Sequence, residues 1–524
     1  MLEKRRRSGR RNHEEGQTRG FDRVFRPVHE QALHDCRLDV RRVEQVTGMR
    51  WRPSSETPPS CQHPIGPRES VTRTSDDAAR TRIVILGGGF GGVYTAMHLE
   101  RTLGPAAEIT LVSRENFFLF TPMLHEVAAS DIDITHLVSP LRALLRRTTV
   151  FVGQVVAIDC QSRSVTVTHG TEAHQHQLPF DHLVIALGSI TNFYGLPGLE
   201  RNALTMKTLG DAIHLRNEVI AAMEEADGEC TAGGDEPLTF VVVGGGFAGV
   251  ETVAGLNDFV REGLRFYPRL KANRVRIVLI HAGSVILPEL GEQLGSYAQQ
   301  ELAKSGVEII TNAKVAECRE NGVRLSDGRS IPSHLVVWTA GTSPHPLIHD
   351  LPCDLDHGRI VVDDTLAVPG WPGIWALGDC AVVPDRRTGK PYPPTAQHAI
   401  RQARTTARNI AASLKGNPLI PFRFRTLGQL AAIGKRTGVA RVFGINFSGF
   451  FAWWLWRTIY LSKLPRLEKK IRVAIDWTLD LVFSKDFVQF LTVRSQTVST
   501  AVAGSEHQLP HMTSAEMLNR ADVA

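Results

Sequence analysis

The feature that most constrains this chain is a glycine-rich turn that occurs twice. The two copies are Gly87-x-Gly89-x-x-Gly92 and Gly244-x-Gly246-x-x-Gly249. Each copy directly follows an apolar run, residues 83–86 in the first and residues 240–243 in the second. Such a turn after a strand lets the backbone approach a pyrophosphate, which lies on the positive end of the following helix. Two of them predict a chain that holds two dinucleotides at once, and hydride transfer from a nicotinamide to a flavin is a chemistry that needs both.

Three further apolar runs end in a small turn, as strands of a nucleotide-binding layer commonly do. They are residues 183–188, residues 336–341 and residues 373–379. The last run places the Asp379 carboxylate just past a strand whose apolar residues predict that it is buried. There the carboxylate can accept hydrogen bonds from a polyol. With these motifs the chain resembles the two-dinucleotide flavoprotein oxidoreductases over about residues 81–493. The resemblance implies that Asp379 binds the ribityl chain of the flavin, and we place Gly341 with the cofactor-binding residues.

Cysteine usage separates the branches of that superfamily. The seven cysteines form no C-x-x-C or C-x-x-x-x-C pair, so the dithiol of a glutathione or thioredoxin reductase is absent and electrons are expected to leave the flavin directly. Four motifs, together with an aromatic C-terminal segment, resemble type II NADH dehydrogenase: residues 116–123, 246–251, 393–398 and 433–434. The resemblance implies a single-subunit, non-proton-pumping enzyme that passes electrons from NADH through FAD to a membrane quinone in a ping-pong reaction.

The expected fold is an α/β protein with two Rossmann-like dinucleotide-binding domains and a C-terminal amphipathic segment that associates with a membrane. In chain order we predict a disordered basic extension (1–80), a split FAD-binding domain (81–195 and 358–420), an NAD(P)H-binding domain (236–345), a membrane-association region (421–493) and a polar tail (494–524). The extension lacks the apolar core of a signal peptide and is too acidic for a mitochondrial transit sequence. Because both nucleotide folds come earlier in the sequence, a chain that ends near Thr437 is expected to keep them.

The C-terminal region gives a physical reason to expect a membrane. Residues 443–461 are rich in Trp, Phe and Tyr but contain Arg457, which suits the headgroup boundary better than a bilayer crossing. Basic residues follow, and so does a second stretch with apolar positions near helical spacing, from Ile471 to Phe483. Such a segment attracts anionic lipid. The alternative is that the aromatic residues form a buried core of the domain or of a homodimer.

Composition narrows the classes of partner. The net charge of +6 comes with no nucleic-acid recognition motif, so the basic cluster near the predicted membrane segment is the simpler account of it. No His or Cys cluster has the spacing of metal ligands, and we therefore expect no metal. An odd number of cysteines without a disulfide framework indicates reduced thiols. We accordingly expect a peripheral protein on the cytoplasmic face of the inner (plasma) membrane.

The residues that select the nucleotide depart from the usual pattern. A Rossmann strand commonly ends in an acid about 20 residues past the glycines, which accepts the ribose hydroxyls. In the first fold that work falls to the Ser113 hydroxyl or to Glu115, and in the second fold His281 stands where the acid is expected. A neutral imidazole offers one acceptor at most, and residues 282–286 contain no arginine to hold a 2′-phosphate. We expect NADH and do not exclude NADPH; alternatively, His281 simply ends the strand in solvent.

Two residues are the catalytic candidates. Glu251 lies two positions past Gly249, in the first turn of the second nucleotide-binding helix, where a carboxylate stabilises the helix end. The resemblance implies instead that Glu251 lies near the nicotinamide and flavin, positions NADH and handles protons. Gln397 begins a helix behind a predicted N-cap, Thr395, and the resemblance places it beside the isoalloxazine at the quinone pocket. The alternative for Gln397 is an ordinary polar residue in a first turn, and the glutamine that the family often has four residues later is Arg401 here.

Two other functions stay open at this point. A sulfide:quinone oxidoreductase shares the fold and the membrane partner but needs cysteines that face the flavin, for which Cys160 and Cys353 are the candidates. A slow flavin redox sensor or interaction protein would carry the same two folds without rapid turnover. Reoxidation of the reduced flavin by a quinone separates the enzyme from the sensor.

Overall fold

The computed structural model describes residues 80–228 and 237–490; the predicted extension up to residue 79 and the predicted polar tail lie outside the described residues. The strands of the three sheets that position the site are β1 (Thr81–Leu86), β2 (Ala107–Ser113), β3 (Thr149–Val152), β4 (His182–Ile185), β5 (Ala203–Thr205), β6 (Leu238–Val243), β7 (Val275–Ile280), β8 (Val307–Ile310), β9 (Leu335–Trp338), β10 (Ile374–Ala376), β11 (Gly428–Ala432), β12 (Gly438–Val442) and β13 (Ile445–Ser448).

The helices and the shorter strands connect and cover these sheets. The helices are α1 (Phe90–Leu103), α2 (Leu124–Ala128), α3 (Ile134–Leu137), α4 (Leu141–Leu144), α5 (Leu199–Asn202), α6 (Leu209–Asp227), α7 (Phe247–Gly263), α8 (Glu292–Lys304), α9 (Ala396–Leu414), α10 (Gly449–Lys463) and α11 (Leu467–Leu479). Shorter strands lie at Phe117–Leu119, Val138–Pro140, Gln154–Asp159, Ser164–His169, His174–Pro179, Ser189–Thr191, Val315–Arg319, Gly322–Leu325, Ser330–Pro332, Thr342–Pro344, Leu355–Asp356, Arg359–Val361, Ala381–Val382, Pro384–Asp385 and Lys390–Pro391.

Two parallel sheets form the centre of the described chain. The first has the order β10-β4-β1-β2-β3 and the second the order β5-β9-β6-β7-β8. Strands that are covered on both faces read as continuous apolar runs, and every residue of β6 is buried. Strand β10 follows the whole second sheet in sequence yet pairs with β4 of the first sheet. The second sheet is therefore inserted, along the chain, between two parts of the first.

The third sheet belongs to the C-terminal part and is antiparallel, in the order β11-β12-β13. Strand β11 lies against α7, helix α10 packs across β11 and β12, and α11 packs against α3 and α10. The C-terminal part thus lies directly on the helix that follows the second glycine turn. This contact decides the surroundings of Glu251.

Candidate functional site

The two glycine turns have the same backbone geometry. The φ angle is +109° at Gly87 and +119° at Gly244, a region that residues with side chains rarely adopt. A side chain on the third glycine of either turn, Gly92 or Gly249, would overlap the carbonyl oxygen of the first glycine. Each turn therefore needs glycine at both places to bring its helix close to the preceding strand. The strand-turn-helix geometry predicted at both places is present.

The middle glycine of each turn opens onto free space. Gly89 and Gly246 are the N-cap residues of α1 and α7, and nothing lies within 4 Å of the place where a side chain on either would begin. The N-terminus of a helix carries unpaired N–H groups and a partial positive charge, which favour a phosphate. Both turns fit a dinucleotide in this respect.

A residue at the end of the second strand of each fold packs against the glycine turn. The Oγ of Ser113, at the end of β2, occupies the space that a side chain on Gly88 would need. His281, directly after β7, does the same for Gly245. Glu115 is exposed. Ser113 and His281 thus hold equivalent places in the two folds, and their contact with a ribose stays a prediction.

His281 is tied to the glycine turn rather than to solvent. The ring is half-buried, and its Nδ1 accepts a hydrogen bond from the Gly245 N–H at 3.1 Å. Burial lowers the pKa of His281, so the ring is neutral at pH 7 with its proton on Nε2. The alternative that His281 simply ends the strand in solvent is therefore wrong.

Asp379 ends a chain of two hydrogen bonds that begins at Lys207 and passes through Ser189. Asp379 lies in a short turn directly after β10, and its Oδ2 accepts a hydrogen bond from Ser189 Oγ at 2.9 Å. The Lys207 ammonium in turn donates to Ser189 Oγ at 2.8 Å. Burial lowers the pKa of Lys207, while the Asp379 carboxylate opposes that effect. The adjacent Gly378 N–H donates to the Gln402 side chain at 2.9 Å, which fixes the turn against α9.

Glu251 is buried within α7, with a relative exposure of 7%. It is the fifth residue of the helix, and α7 has no acid in its first turn, so the prediction that Glu251 stabilises the helix N-terminus is wrong. Its Oε1 instead accepts hydrogen bonds from Trp456 Nε1 at 3.0 Å and from the Ala432 N–H at 3.2 Å. Burial raises the pKa of Glu251 to about 8.

His125 is a neutral neighbour of Glu251. Its Nδ1 lies 3.7 Å from Glu251 Oε2, within the distance of an ion pair. Burial lowers the pKa of His125 to about 3, and a nearby lysine lowers it further. The imidazole is therefore uncharged at neutral pH, and the contact is not an ion pair. The sequence pattern did not single out His125.

Gln397 is the second residue of α9 and binds the third sheet. Its Nε2 donates to the Gly428 carbonyl at 3.2 Å, and Arg401 donates to the Gln397 carbonyl at 2.9 Å. Thr395 holds the N-cap position, but its hydroxyl pairs with His398 Nδ1 at 2.6 Å and makes no capping bond. The capping role predicted for Thr395 is therefore wrong, because a neighbouring ring competes for the hydroxyl.

Strand β11 connects the two catalytic candidates. Glu251 from α7 accepts from Ala432 at the end of this strand, and Gln397 from α9 donates to Gly428 at its start. One strand thus ties a side chain of the second fold to a side chain of a helix that packs on the first. The sequence pattern did not predict that either side chain contacts this strand.

Gly341 follows β9 and faces the first fold. Its φ is +100°, and a side chain there would overlap the hydroxyl of Tyr194. The Trp338 indole, at the end of β9, donates to the Asn192 carbonyl at 2.9 Å. The residues after β9 therefore meet residues 192–194, and nucleotide binding by Gly341 stays a prediction.

Comparison with known proteins identifies the family of the chain. A family model described as "Pyridine nucleotide-disulphide oxidoreductase" matches residues 81–403, and one described as "NDH2 C-terminal domain" matches residues 427–486. The chain is 34% identical over 418 residues to "Probable NADH dehydrogenase" of Dictyostelium discoideum, covering 78% of this chain and 91% of that protein. It is 33% identical over 432 residues to "Type II NADH:quinone oxidoreductase Ndh" of Mycobacterium tuberculosis, covering 79% and 90%. The chain belongs to the type II NADH:quinone oxidoreductases.

A solved structure shows the same fold. NDH2 from Plasmodium falciparum in complex with NADH superposes with a TM-score of 0.72 at 20% identity, covering 78% of this chain and all of that one. The predicted family, fold class and enzyme class are confirmed: the chain is an NADH:quinone oxidoreductase.

The cysteines of this type II NADH:quinone oxidoreductase do not suit sulfide chemistry. Cys160 is buried in the apolar cluster around the first sheet, and Cys353 packs against the same cluster. Burial raises the pKa of Cys160 to about 11 and also raises that of Cys353. A thiol is a nucleophile only as its thiolate, which burial disfavours here. The sulfide:quinone alternative is therefore the weaker one.

The C-terminal helices of the oxidoreductase are partly core and partly surface. Trp456 is fully buried and Trp477 is 6% exposed, so the buried-core alternative is correct for these two. Other apolar side chains remain exposed and form what we call the apolar C-terminal surface: Phe443, Ile445, Phe450, Phe451, Trp454, Leu467, Ile471, Ile475, Leu479, Val482 and Phe483. Among the described residues, no helix has the length and hydropathy to cross a membrane.

Proposed function

We propose that this enzyme binds FAD at the first glycine turn and NADH at the second, and that it reduces a membrane quinone beside Glu251 and Gln397. The observation that carries the proposal is the attachment of both side chains to β11. The four residue steps of that strand span about 13 Å. Both nucleotide folds thereby contribute a polar side chain to one short element. The domain boundaries predicted from the sequence are part of the same proposal.

Several features of the first fold suit FAD. Gly89 faces open space that suits a pyrophosphate. The Asp379 carboxylate, which accepts a hydrogen bond from Ser189, suits the polyol of a ribityl chain, and Lys207 donates to the same Ser189 hydroxyl. When bound, the flavin accepts a hydride and releases two electrons to the quinone. Release of the cofactor from the purified enzyme by heat, followed by its separation, tests this assignment. FAD is expected, and FMN as the only flavin would contradict it.

Glu251 acts in this proposal as a proton donor. Because both hydrogen-bond donors go to Oε1, the proton of the neutral acid resides on Oε2. With a pKa of about 8, most of the carboxyl is protonated at pH 7. A carboxylic acid whose pKa lies near the working pH is suited to general acid catalysis. Gln397, which donates to the Gly428 carbonyl and whose own carbonyl accepts from Arg401, is held at the other end of the same strand.

Nucleotide choice is tested at His281. In the His281→Glu variant a carboxylate would accept from the Gly245 N–H, grip the ribose hydroxyls and repel a 2′-phosphate. The ratio of kcat/KM for NADH to that for NADPH is therefore expected to rise by about tenfold or more. Steady-state kinetics with both nucleotides measures it, with His281→Gln as the uncharged control. An unaltered ratio in the Glu variant would place His281 outside the ribose site.

We further propose that the apolar C-terminal surface docks onto an anionic lipid surface, at the cytoplasmic face of the inner (plasma) membrane. The exposed apolar residues of α11 recur at helical spacing, and basic side chains lie beside them: Lys463, Arg466, Lys470 and Arg472. Lys469 does not take part, because it is buried and donates to the Thr135 carbonyl at 2.6 Å. An apolar stripe flanked by cations is the pattern of an interfacial helix.

Membrane docking predicts the behaviour of a triple variant. Replacing Ile471, Ile475 and Leu479 together by Gln is expected to abolish flotation with phosphatidylglycerol vesicles, while Tm changes little because all three are about half exposed. High salt should weaken wild-type attachment only partly, since it screens charges but not apolar contacts. Replacement of Val156, Leu414 and Ile420, which are exposed elsewhere, is the matched control. If the triple variant still floats, or only converts a homodimer to a monomer, the surface does not bind lipid.

A further inference from the structure

A second buried carboxylate lies beside Glu251. Glu126, on α2, has 5% exposure, and its Oε2 accepts a hydrogen bond from Trp477 Nε1 at 3.1 Å. The indole of Trp477 lies 6.3 Å, centroid to centroid, from that of Trp456, which donates to Glu251. Two tryptophans of the C-terminal helices, whose rings are neighbours, therefore each hold a buried carboxyl group by the same kind of contact.

The two carboxyl groups affect one another. Burial raises the pKa of Glu126 to about 8, as it does for Glu251, and the charge of Glu126 adds to the rise at Glu251. Removing the charge of Glu126 is therefore expected to lower the pKa of Glu251.

Three charged groups from other segments act on Glu126. The Arg457 guanidinium of α10 lies over the Trp477 ring, 4.7 Å from its centroid, and lowers the pKa of Glu126. Lys485, from the segment after α11, also lowers the pKa of Glu126, whereas Asp131 raises it. These two pair with each other at 2.6 Å. Asp131 keeps 16% of its side chain exposed and Lys485 only 3%, so Asp131 is the member that reaches solvent.

We propose that Glu126 resupplies Glu251 with the proton that quinone reduction consumes. The inference rests on the proposed function. NADH, one solvent proton and a quinone give NAD⁺ and a quinol; the hydride brings both electrons and one hydrogen, and the second hydrogen must come from water. That proton enters beside Asp131, moves to Glu126, then to Glu251, and ends on a quinone oxygen. Glu126 is thus a positioning residue that acts through Glu251.

The test is the pH profile of Glu126→Gln. The amide keeps an acceptor for Trp477 but carries no titrating proton, so quinone turnover at neutral pH is expected to fall about tenfold. Glu251 loses a like-charged neighbour, and the alkaline limb of the profile is expected to move about one unit toward lower pH. Electron transfer to ferricyanide, which takes no protons, should be unchanged. Glu292→Gln, at an exposed acid, is the matched control.

A second variant and a second measurement keep the test decisive if Glu126→Gln folds poorly. Trp477→Phe removes the donor to Glu126, which should raise the pKa of that acid. A Glu126 that stays neutral to higher pH repels the Glu251 carboxylate less, so the alkaline limb should move toward lower pH, as in Glu126→Gln. Infrared titration of the resting enzyme should show one protonated carboxyl fewer in Glu126→Gln. If the wild type reduces quinone and both variants reproduce its profile, Glu126 has no role in proton supply. If the wild type does not reduce quinone, the proposed function itself fails.

Discussion

Glu251→Gln is expected to lower the rate of quinone reduction by roughly 100-fold or more while the enzyme keeps its flavin. The amide oxygen still accepts from Trp456 and Ala432, so the local packing is kept, but the proton carried on Oε2 is lost. Rapid mixing of the NADH-reduced variant with a short-chain quinone measures the step. The rate of flavin reduction by NADH, measured in the same experiment, separates a role of Glu251 in positioning NADH from its role in proton supply. An unchanged rate of reoxidation would leave Glu251 with a structural role only.

The same substitution changes how stability depends on pH. The pKa of Glu251 in the folded protein is about 8, above its ordinary value of 4.5, so the stability that this proton contributes is complete below pH 4.5 and is lost as the pH rises through 8. Gln does not titrate. The wild type loses this contribution between pH 4 and pH 9, and the variant does not. The free energy of unfolding of the variant, relative to that of the wild type, should therefore rise by a few kcal/mol over this range, because each unit of pKa difference corresponds to about 1.4 kcal/mol. Urea denaturation at the two pH values measures it; an equal difference at both would contradict the raised pKa.

A chain that ends at Thr437 is expected not to fold, contrary to the expectation from sequence that it would keep both nucleotide folds. It would lack β12, which pairs with β11, and the indoles that cover Glu251 and Glu126. Loss of a buried Trp side chain alone costs about 3–5 kcal/mol, and this truncation removes both Trp456 and Trp477 from a protein whose total stability is of the order of 5–15 kcal/mol.

Expression of the truncated chain, with flavin content and near-ultraviolet circular dichroism as the measurements, tests this expectation. A chain that ends at residue 490 keeps every contact between described residues and is the matched control. A soluble Thr437 chain with bound flavin and NADH oxidation would show that the C-terminal part is an appendage. The triple surface variant, and not truncation, is therefore the suitable test of membrane docking.

The sequence predicts the two nucleotide folds well because their signals are local. An apolar run followed by Gly-x-Gly-x-x-Gly specifies a buried strand, a positive φ at Gly87 and Gly244, and a helix that begins at the middle glycine. Each requirement falls within a dozen residues of the others. The same is true of Asp379, whose place after a strand is visible in the sequence.

The surroundings of the candidate site could not be predicted in this way. Trp456 meets Glu251 across 205 positions of sequence, and Trp477 meets Glu126 across 351. An aromatic, basic segment has the pattern of an interfacial helix whether or not one of its faces is buried. The sequence therefore does not show that Trp456 is buried while Trp454 is exposed; only the packing of the folded chain does. Lys207 was not predicted because it lies between β5 and α6, while its partner Ser189 lies on a separate short strand with no shared motif.

In this enzyme one chain takes a hydride from NADH and passes the electrons to a quinone, and the absorption spectrum of the purified protein tests this reaction most directly. Anaerobic addition of NADH is expected to bleach the flavin bands, and a short-chain quinone added next should restore them within the turnover time of the enzyme. A flavin that NADH does not bleach, or that stays reduced in the presence of quinone, would contradict the account.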